Sequence, residues 1–208
     1  MFSFPGRLYP ITDTHLSGLS HAEQVSRLST GGAKLIQIRE KQLASNEFFE
    51  QAKSAVTRAR SMGAMVIIND RVDIAMAIGA DGVHLGQEDL PPAEARQLMG
   101  PDAIIGYSTH NARQVQAAAH LPVSYIAIGP IFATTTKANP DLVLGLDGFR
   151  QIRRLVNGFP VVAIGGITAE NAGGVIEAGA DAVAVISGLV AVADLISERT
   201  RQFLGLLQ

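Results

Sequence analysis

The sequence predicts an α/β chain folded as a single-domain (β/α)₈ TIM barrel, a closed parallel sheet of eight strands wrapped by helices. Three observations carry that expectation. Eight short β-rich apolar runs recur along the chain. Helix-like segments with 3.6-residue apolar spacing separate them, so the strands pair in parallel with both faces covered. The turn after the first run has no GxGxxG, the phosphate-binding fingerprint expected of the alternative, an open doubly wound sheet.

In chain order the strand-like runs are "LYPITD", "KLIQIRE", "MVIIND", "GVHLGQ", "AIIGYST", "YIAIGPIF", "VVAIGGI" and "AVAVISG". Helical spacing appears at 46–62, 111–119, 147–156, 169–178 and 192–206. "GAD" recurs at 79–81 and 179–181, each time closing a helix and opening a strand, with the glycine placed as a C-cap. With 208 residues, each strand-helix unit has about 26, at the small end for such barrels. That leaves no room for a second domain, so 1–208 reads as one catalytic unit without linkers or low-complexity tracts.

Composition narrows the function classes. A net charge of −2 with 17% charged residues excludes a nucleic-acid footprint. The absence of cysteine excludes disulfides, thiolate metal sites and thiol nucleophiles. The apolar stretch at 182–193 is too short to span a bilayer and the N-terminus lacks a signal-like core, so the expected location is cytoplasmic. The five histidines, at 15, 21, 84, 110 and 120, show no metal-ligand spacing. His84 and His110, near strand ends, read most simply as hydrogen-bonded structural histidines.

In a barrel of this kind the site lies at the C-terminal strand ends, and that is where polar residues collect. Strand alternation puts Gln37, Arg39 and Lys41 on one face and Ile36 and Ile38 on the other. Cations grouped on one face at a strand end imply an anion. Asn69 and Asp70 end the third strand, Asp89 follows the fourth, Ser108 ends the fifth, and "TTTK" (134–137) follows the sixth. Asp70 alone reads as a turn former or helix cap. Together, Asp70 and Asp89 on neighbouring strands suit Mg²⁺, which is held by one or two carboxylates plus substrate phosphates. Arg39, Lys41 and Lys137 with Mg²⁺ match a diphosphate better than a carboxylate. After strands seven and eight, "GGIT" and "ISG" offer backbone N–H groups for a second phosphate, with Gly165 and Gly166 allowing close approach.

In order and spacing, the blocks "QIREK", "IIND", "DGVHLGQED", "GYSTH", "GPIFATTTK", "VAIGGI" and "VISG" resemble the thiamine-phosphate synthase (thiamine-phosphate pyrophosphorylase) family over essentially the whole chain. The resemblance implies a transferase of thiamine biosynthesis. Its substrates would be 4-amino-2-methyl-5-hydroxymethylpyrimidine diphosphate and 4-methyl-5-(2-phosphoethyl)thiazole, or the carboxylated thiazole phosphate. Its products would be thiamine phosphate and diphosphate, formed through a dissociative carbocation mechanism. By position it implies Gln37, Arg39, Lys41, Asn69, Ser108 and Lys137 as ligands of the pyrimidine diphosphate, with Arg39, Lys41, Ser108 and Lys137 catalytic. Thr134, Thr136, Gly166, Ile186 and Ser187 would hold the thiazole phosphate, and Asp70 and Asp89 the Mg²⁺. Family analogy alone suggests a homodimer.

Tyr107 departs from the family's smaller aliphatic residues, and alternation with Ser108 points it away from the site. Two alternatives share the barrel. A sister family of thiazole tautomerases resembles the chain at "RVDIA" (71–75) but commonly has glycine in place of Asp70. A phosphate-binding barrel without turnover is the other, since fold alone does not establish catalysis.

Overall fold

The structure is a computed structural model describing residues 2–134 and 142–208. Among them lie eight strands: β1 (Leu8–Thr12), β2 (Leu35–Ile38), β3 (Met65–Asn69), β4 (Gly82–Leu85), β5 (Ile104–Thr109), β6 (Tyr125–Ile128), β7 (Val161–Ile164) and β8 (Ala182–Val185). Each pairs in parallel with the next, and β8 returns to β1, so the sheet closes as expected. A short helix, α1 (Thr14–Ser17), and α2 (His21–Thr30) follow β1, and α3 (Ser45–Ser61) follows β2. Next come α4 (Val72–Ile78), α5 (Pro92–Met99), α6 (Ala112–Ala118), α7 (Gly145–Arg154) and α8 (Ala172–Glu177), each before the next strand. After β8 stand the four-residue α9 (Ser187–Val190) and α10 (Ile196–Leu206). No helix of the described residues is long and apolar enough to cross a membrane.

Side-chain alternation separates two apolar clusters, as a closed barrel requires. The larger lies between sheet and helices and holds Ile36, Ile38, Val66, Ile68, Val83 and Leu85 with residues such as Phe48, Ala52 and Val56 of α3. The smaller fills the barrel interior with Tyr9, Ile11, Leu35, Ile67, Tyr125 and Val162, and Phe2 and Phe4 pack onto it. Gln37 takes the interior parity with Leu35, and Tyr107 packs against the outer cluster, both as alternation predicts.

The "GAD" repeats fix the ends of strands. Gly79 caps α4 in the left-handed region, and the Asp81 carboxylate accepts from the Val66 N–H of β3 at 2.7 Å. Asp181 does the same for Val161 of β7 at 2.8 Å. Two helices are shorter than their apolar spacing suggests. Residues 169–178 narrow to α8, whose Gly173 and Gly174 weaken it by roughly 1 kcal/mol each relative to alanine. Residues 192–206 begin as a 3₁₀ turn at Ala193–Leu195 before α10.

Candidate active site

Among the polar strand-end residues, Glu40 organises the loop after β2. Its Oε1 accepts from the backbone N–H groups of Lys41, Gln42 and Leu43 at 2.7, 2.7 and 3.2 Å. Its Oε2 accepts from the Thr14 hydroxyl at 3.0 Å and lies 3.3 Å from His21 Nε2. Burial raises the pKa of this carboxyl, but the hydrogen bonds outweigh it and hold the net value below the ordinary one. The loop bearing Lys41 is thus tied to a nearly buried carboxylate on the helix-facing side of β2. Arg39, with its neighbours' opposite parity, turns to the mouth, and its Nη1 lies 3.6 Å from Asp13 Oδ2.

Asp70 and Asp89 converge. Asp70 occupies the left-handed region at φ 62°, a conformation sparsely used outside glycine and tolerated best by Asn and Asp. The cap position of α4 is Arg71, without a side-chain cap bond, so the helix-cap reading of Asp70 fails and its carboxylate is left for the mouth. There it forms an ion pair with the Lys41 ammonium. Asp89 Oδ2 accepts from Gly86 N–H at 2.6 Å, closing the turn after β4. Burial, helped by the neighbouring Asp70 carboxyl, pushes Asp89 above the usual carboxylate range. Two neighbouring carboxylates repel when both are ionised, and either a proton on one of them or a cation relieves this. Among the described residues no group of three or more His, Asp or Glu side chains could hold a metal, so any ion here depends on other ligands as well.

Interior polar residues of β1 to β6 form a second layer beneath these charges. Gln37 Nε2 donates to Tyr9 Oη at 3.2 Å, and the Tyr9 and Tyr125 hydroxyls are 2.8 Å apart. Tyr125 Oη lies 2.9 Å from His84 Nδ1, and His84 Nε2 lies 2.8 Å from Ser108 Oγ. Burial pushes the His84 pKa down to about 4, so the imidazole is neutral at physiological pH. His84 is therefore a hydrogen-bonded structural histidine, as the simpler reading has it, and it also touches a predicted ligand. Asn69, level with His84 in the register, is buried at the same end.

Across the mouth, Gly166 adopts φ 62°, and a Cβ there would lie 2.4 Å from the Ala133 carbonyl oxygen. Ile186 is the cap of α9 and Ser187, its first residue, is exposed. Thr134 is half-buried. Gly166 and Ile186 stand just past the C-terminal ends of β7 and β8 and Thr134 lies in the loop after β6, while Thr136 and Lys137 lie outside the described residues. Sequence reasoning missed Glu40, Asp13, Tyr9 and Tyr125. Glu40 sits inside "QIREK" itself, and its opposite parity to Arg39 and Lys41 is the signal that marks it as a support.

A family model described as thiamine monophosphate synthase matches residues 8–189. The chain is 45% identical over 202 residues to the thiamine-phosphate synthase of Chloroflexus aurantiacus, covering 97% of this chain and 92% of that protein. It is 47% identical over 191 residues to that of Koribacter versatilis, covering 88% and 89%. Among solved structures, a thiamine phosphate pyrophosphorylase from Pyrococcus furiosus superposes with a TM-score of 0.86 at 35% identity, covering 97% of this chain and 95% of that one.

Proposed function

This chain belongs to the thiamine monophosphate synthase family, and from that premise we propose that its barrel mouth joins 4-amino-2-methyl-5-hydroxymethylpyrimidine diphosphate to 4-methyl-5-(2-phosphoethyl)thiazole, or to its carboxylated form. The products are thiamine phosphate and diphosphate, and the enzyme is a transferase of thiamine biosynthesis. The observation that carries this reading is the convergence of Lys41, Asp70 and Asp89 above an interior layer of Gln37, Asn69 and Ser108. Charge for a diphosphate would then lie over Gln37 and Asn69, polar groups suited to a heterocycle, with Ser108 facing the charge. A cytoplasmic location and a homodimer belong to the same reading.

In the proposed mechanism the bond between the pyrimidine methylene carbon and the diphosphate oxygen breaks first. Both electrons leave with the diphosphate, and the thiazole nitrogen lone pair then captures the carbocation. No protein nucleophile is needed, only donors fixed where negative charge gathers. Lys41, Arg39 and Ser108 would face that charge, Lys137 would join them, and Gln37 and Asn69 would orient the pyrimidine. Asp70 and Asp89 fit Mg²⁺, since two convergent carboxylates with one acid held high are stabilised by a cation, and the substrate phosphates would complete its ligands. Bound there, Mg²⁺ supplies positive charge to the diphosphate oxygens. Thr134, Thr136, Gly166, Ile186 and Ser187 would take the thiazole phosphate.

The test is direct. Purified protein with both substrates and Mg²⁺ should form thiamine phosphate, and omission of either substrate should abolish it. Isomerisation of a thiazole phosphate without coupling would transfer the chain to the tautomerase reading. Binding without any turnover would leave a phosphate-binding barrel.

A further inference from the structure

Five polar side chains cross the barrel interior in one unbranched series: Gln37, Tyr9, Tyr125, His84 and Ser108. Three of them, Tyr9, Tyr125 and His84, have no place in the proposed chemistry. Tyr9 and Tyr125 are 1% and 0% exposed among Ile11, Leu35, Ile67 and Val162 of the same cluster, so a misdirected donor there carries the cost of a buried unpaired polar group. Such a chain can carry its protons in only two directions.

In the first direction the Gln37 amide N–H donates to Tyr9, Tyr9 to Tyr125, and Tyr125 to His84 Nδ1. The single proton of the neutral imidazole then lies on Nε2 and is donated to Ser108 Oγ, which frees the Ser108 hydroxyl proton for the mouth. In the second direction the bonds from Ser108 to Tyr9 reverse, and Tyr9 Oη accepts from both Tyr125 and the Gln37 amide N–H. The Tyr9 proton cannot go to Gln37 Nε2, which is itself a donor and has no lone pair to accept with. It would be left without an acceptor in a buried site. The Ser108 proton would also turn inward, presenting only oxygen lone pairs to an anion. The Gln37 end and the Ser108 end thus select the same direction independently.

We propose that this series is a one-way hydrogen-bond relay that locks the His84 tautomer and aims the Ser108 hydroxyl proton into the barrel mouth. Tyr9, Tyr125 and His84 are then positioning residues for the anion held by Ser108. The inference rests on the reading of Ser108 as a diphosphate ligand. Gly106 belongs to the same device. A Cβ at that position would lie 2.2 Å from Tyr125 Cζ and 2.4 Å from His84 Nδ1, so only glycine leaves room for the tyrosine-histidine contact. With Gln37 Nε2 committed to Tyr9, its Oε1 remains the amide atom able to accept from an N–H of the substrate, which suits the amino group of the pyrimidine.

The tautomer can be read directly by ¹⁵N NMR of histidine-labelled protein, with the His84 signals identified by their loss in His84→Gln. The expected result is a protonated, pyrrole-type Nε2 and an unprotonated, pyridine-type Nδ1. A protonated Nδ1 in the unaltered protein overturns the relay while leaving Ser108 free to be a ligand. Tyr125→Phe keeps the ring and removes the donor to Nδ1, so the His84 signals should change and kcat should fall about tenfold. In a Ser108→Ala background the same substitution should change kcat less than twofold. An equal loss in both backgrounds would mean that Tyr125 acts otherwise than through Ser108, and the relay fails. An unchanged kcat in Ser108→Ala alone would remove the ligand reading and the purpose of the relay with it.

Discussion

The Lys41 ammonium pairs with the Asp70 carboxylate across the gap between the loop after β2 and the end of β3. A half-exposed lysine adds little to stability through such a pair, so its meaning lies in the site. Under the proposed function the pair would store a cation for the diphosphate beside a carboxylate for Mg²⁺. A cation bound by Asp70 and Asp89 would replace Lys41 on Asp70 and free its ammonium for the substrate.

Asp70→Asn and Asp89→Asn follow from that arrangement. Each replaces a carboxylate with a neutral amide that binds Mg²⁺ poorly, while the amide oxygen at 89 can still accept from Gly86 N–H. Turnover should fall strongly in both, with unchanged circular dichroism and partial recovery at raised Mg²⁺. Full turnover of either variant at limiting Mg²⁺ would remove it from the metal site.

Glu40→Ala should act at a distance from the chemistry. It strips the acceptor from three backbone N–H groups and costs about 2–3 kcal/mol, measured by denaturant unfolding. Because the folded-state pKa lies below the unfolded one, the contribution of Glu40 is present above the ordinary glutamate range and lost as pH falls through the lower folded value. Glu40→Ala should therefore be less sensitive to acid than the unaltered protein. An identical stability-pH curve would show that Glu40 does not anchor the loop.

How far the sequence could be read depends on range. Short β-rich apolar runs such as "KLIQIRE" and "MVIIND" revealed the strands, and side-chain alternation along them showed which of Gln37 and Ile38 faces inward, because alternation is local geometry. The closed topology followed from repetition. Contacts between distant elements were hidden: nothing local links Tyr9 to Tyr125 across the barrel, 116 residues away, or Glu40 to His21 of α2 outside it. Gly166 shows a different limit. It was read as an opening for a phosphate, but its conformation and the Ala133 carbonyl already demand glycine. Glycine there serves the packing of the loop after β6 whatever ligand lies above it.

His84 should make the fold acid-sensitive in a defined window. Its pKa falls from 6.5 to about 4 on folding, so between those values the unfolded chain binds more protons. Stability from this group is complete above about 6.5 and declines as pH drops toward 4, a loss of roughly 3 kcal/mol. Urea unfolding across that window should show the slope, and His84→Gln should flatten it. A slope unchanged by the substitution would mean that His84 titrates alike in both states.

Arg39→Ala and Lys137→Ala should depress bond breaking more than ground-state binding. Charge on the departing diphosphate grows as its bond to carbon lengthens, so donors aimed at it gain strength toward the transition state. Loss of one such donor typically costs about 10²- to 10³-fold in rate. Removing Arg39 leaves Asp13 still accepting from Leu16 N–H at 3.0 Å, so the start of α1 keeps its cap and the fold should survive. Single-turnover measurements at saturating substrate separate chemistry from affinity. Slowed single turnovers with little change in pyrimidine diphosphate binding would place both cations at the leaving group. Unchanged single-turnover rates with only a raised KM would reduce them to anchors of the bound substrate, and the cationic face of "QIREK" would then serve recognition alone.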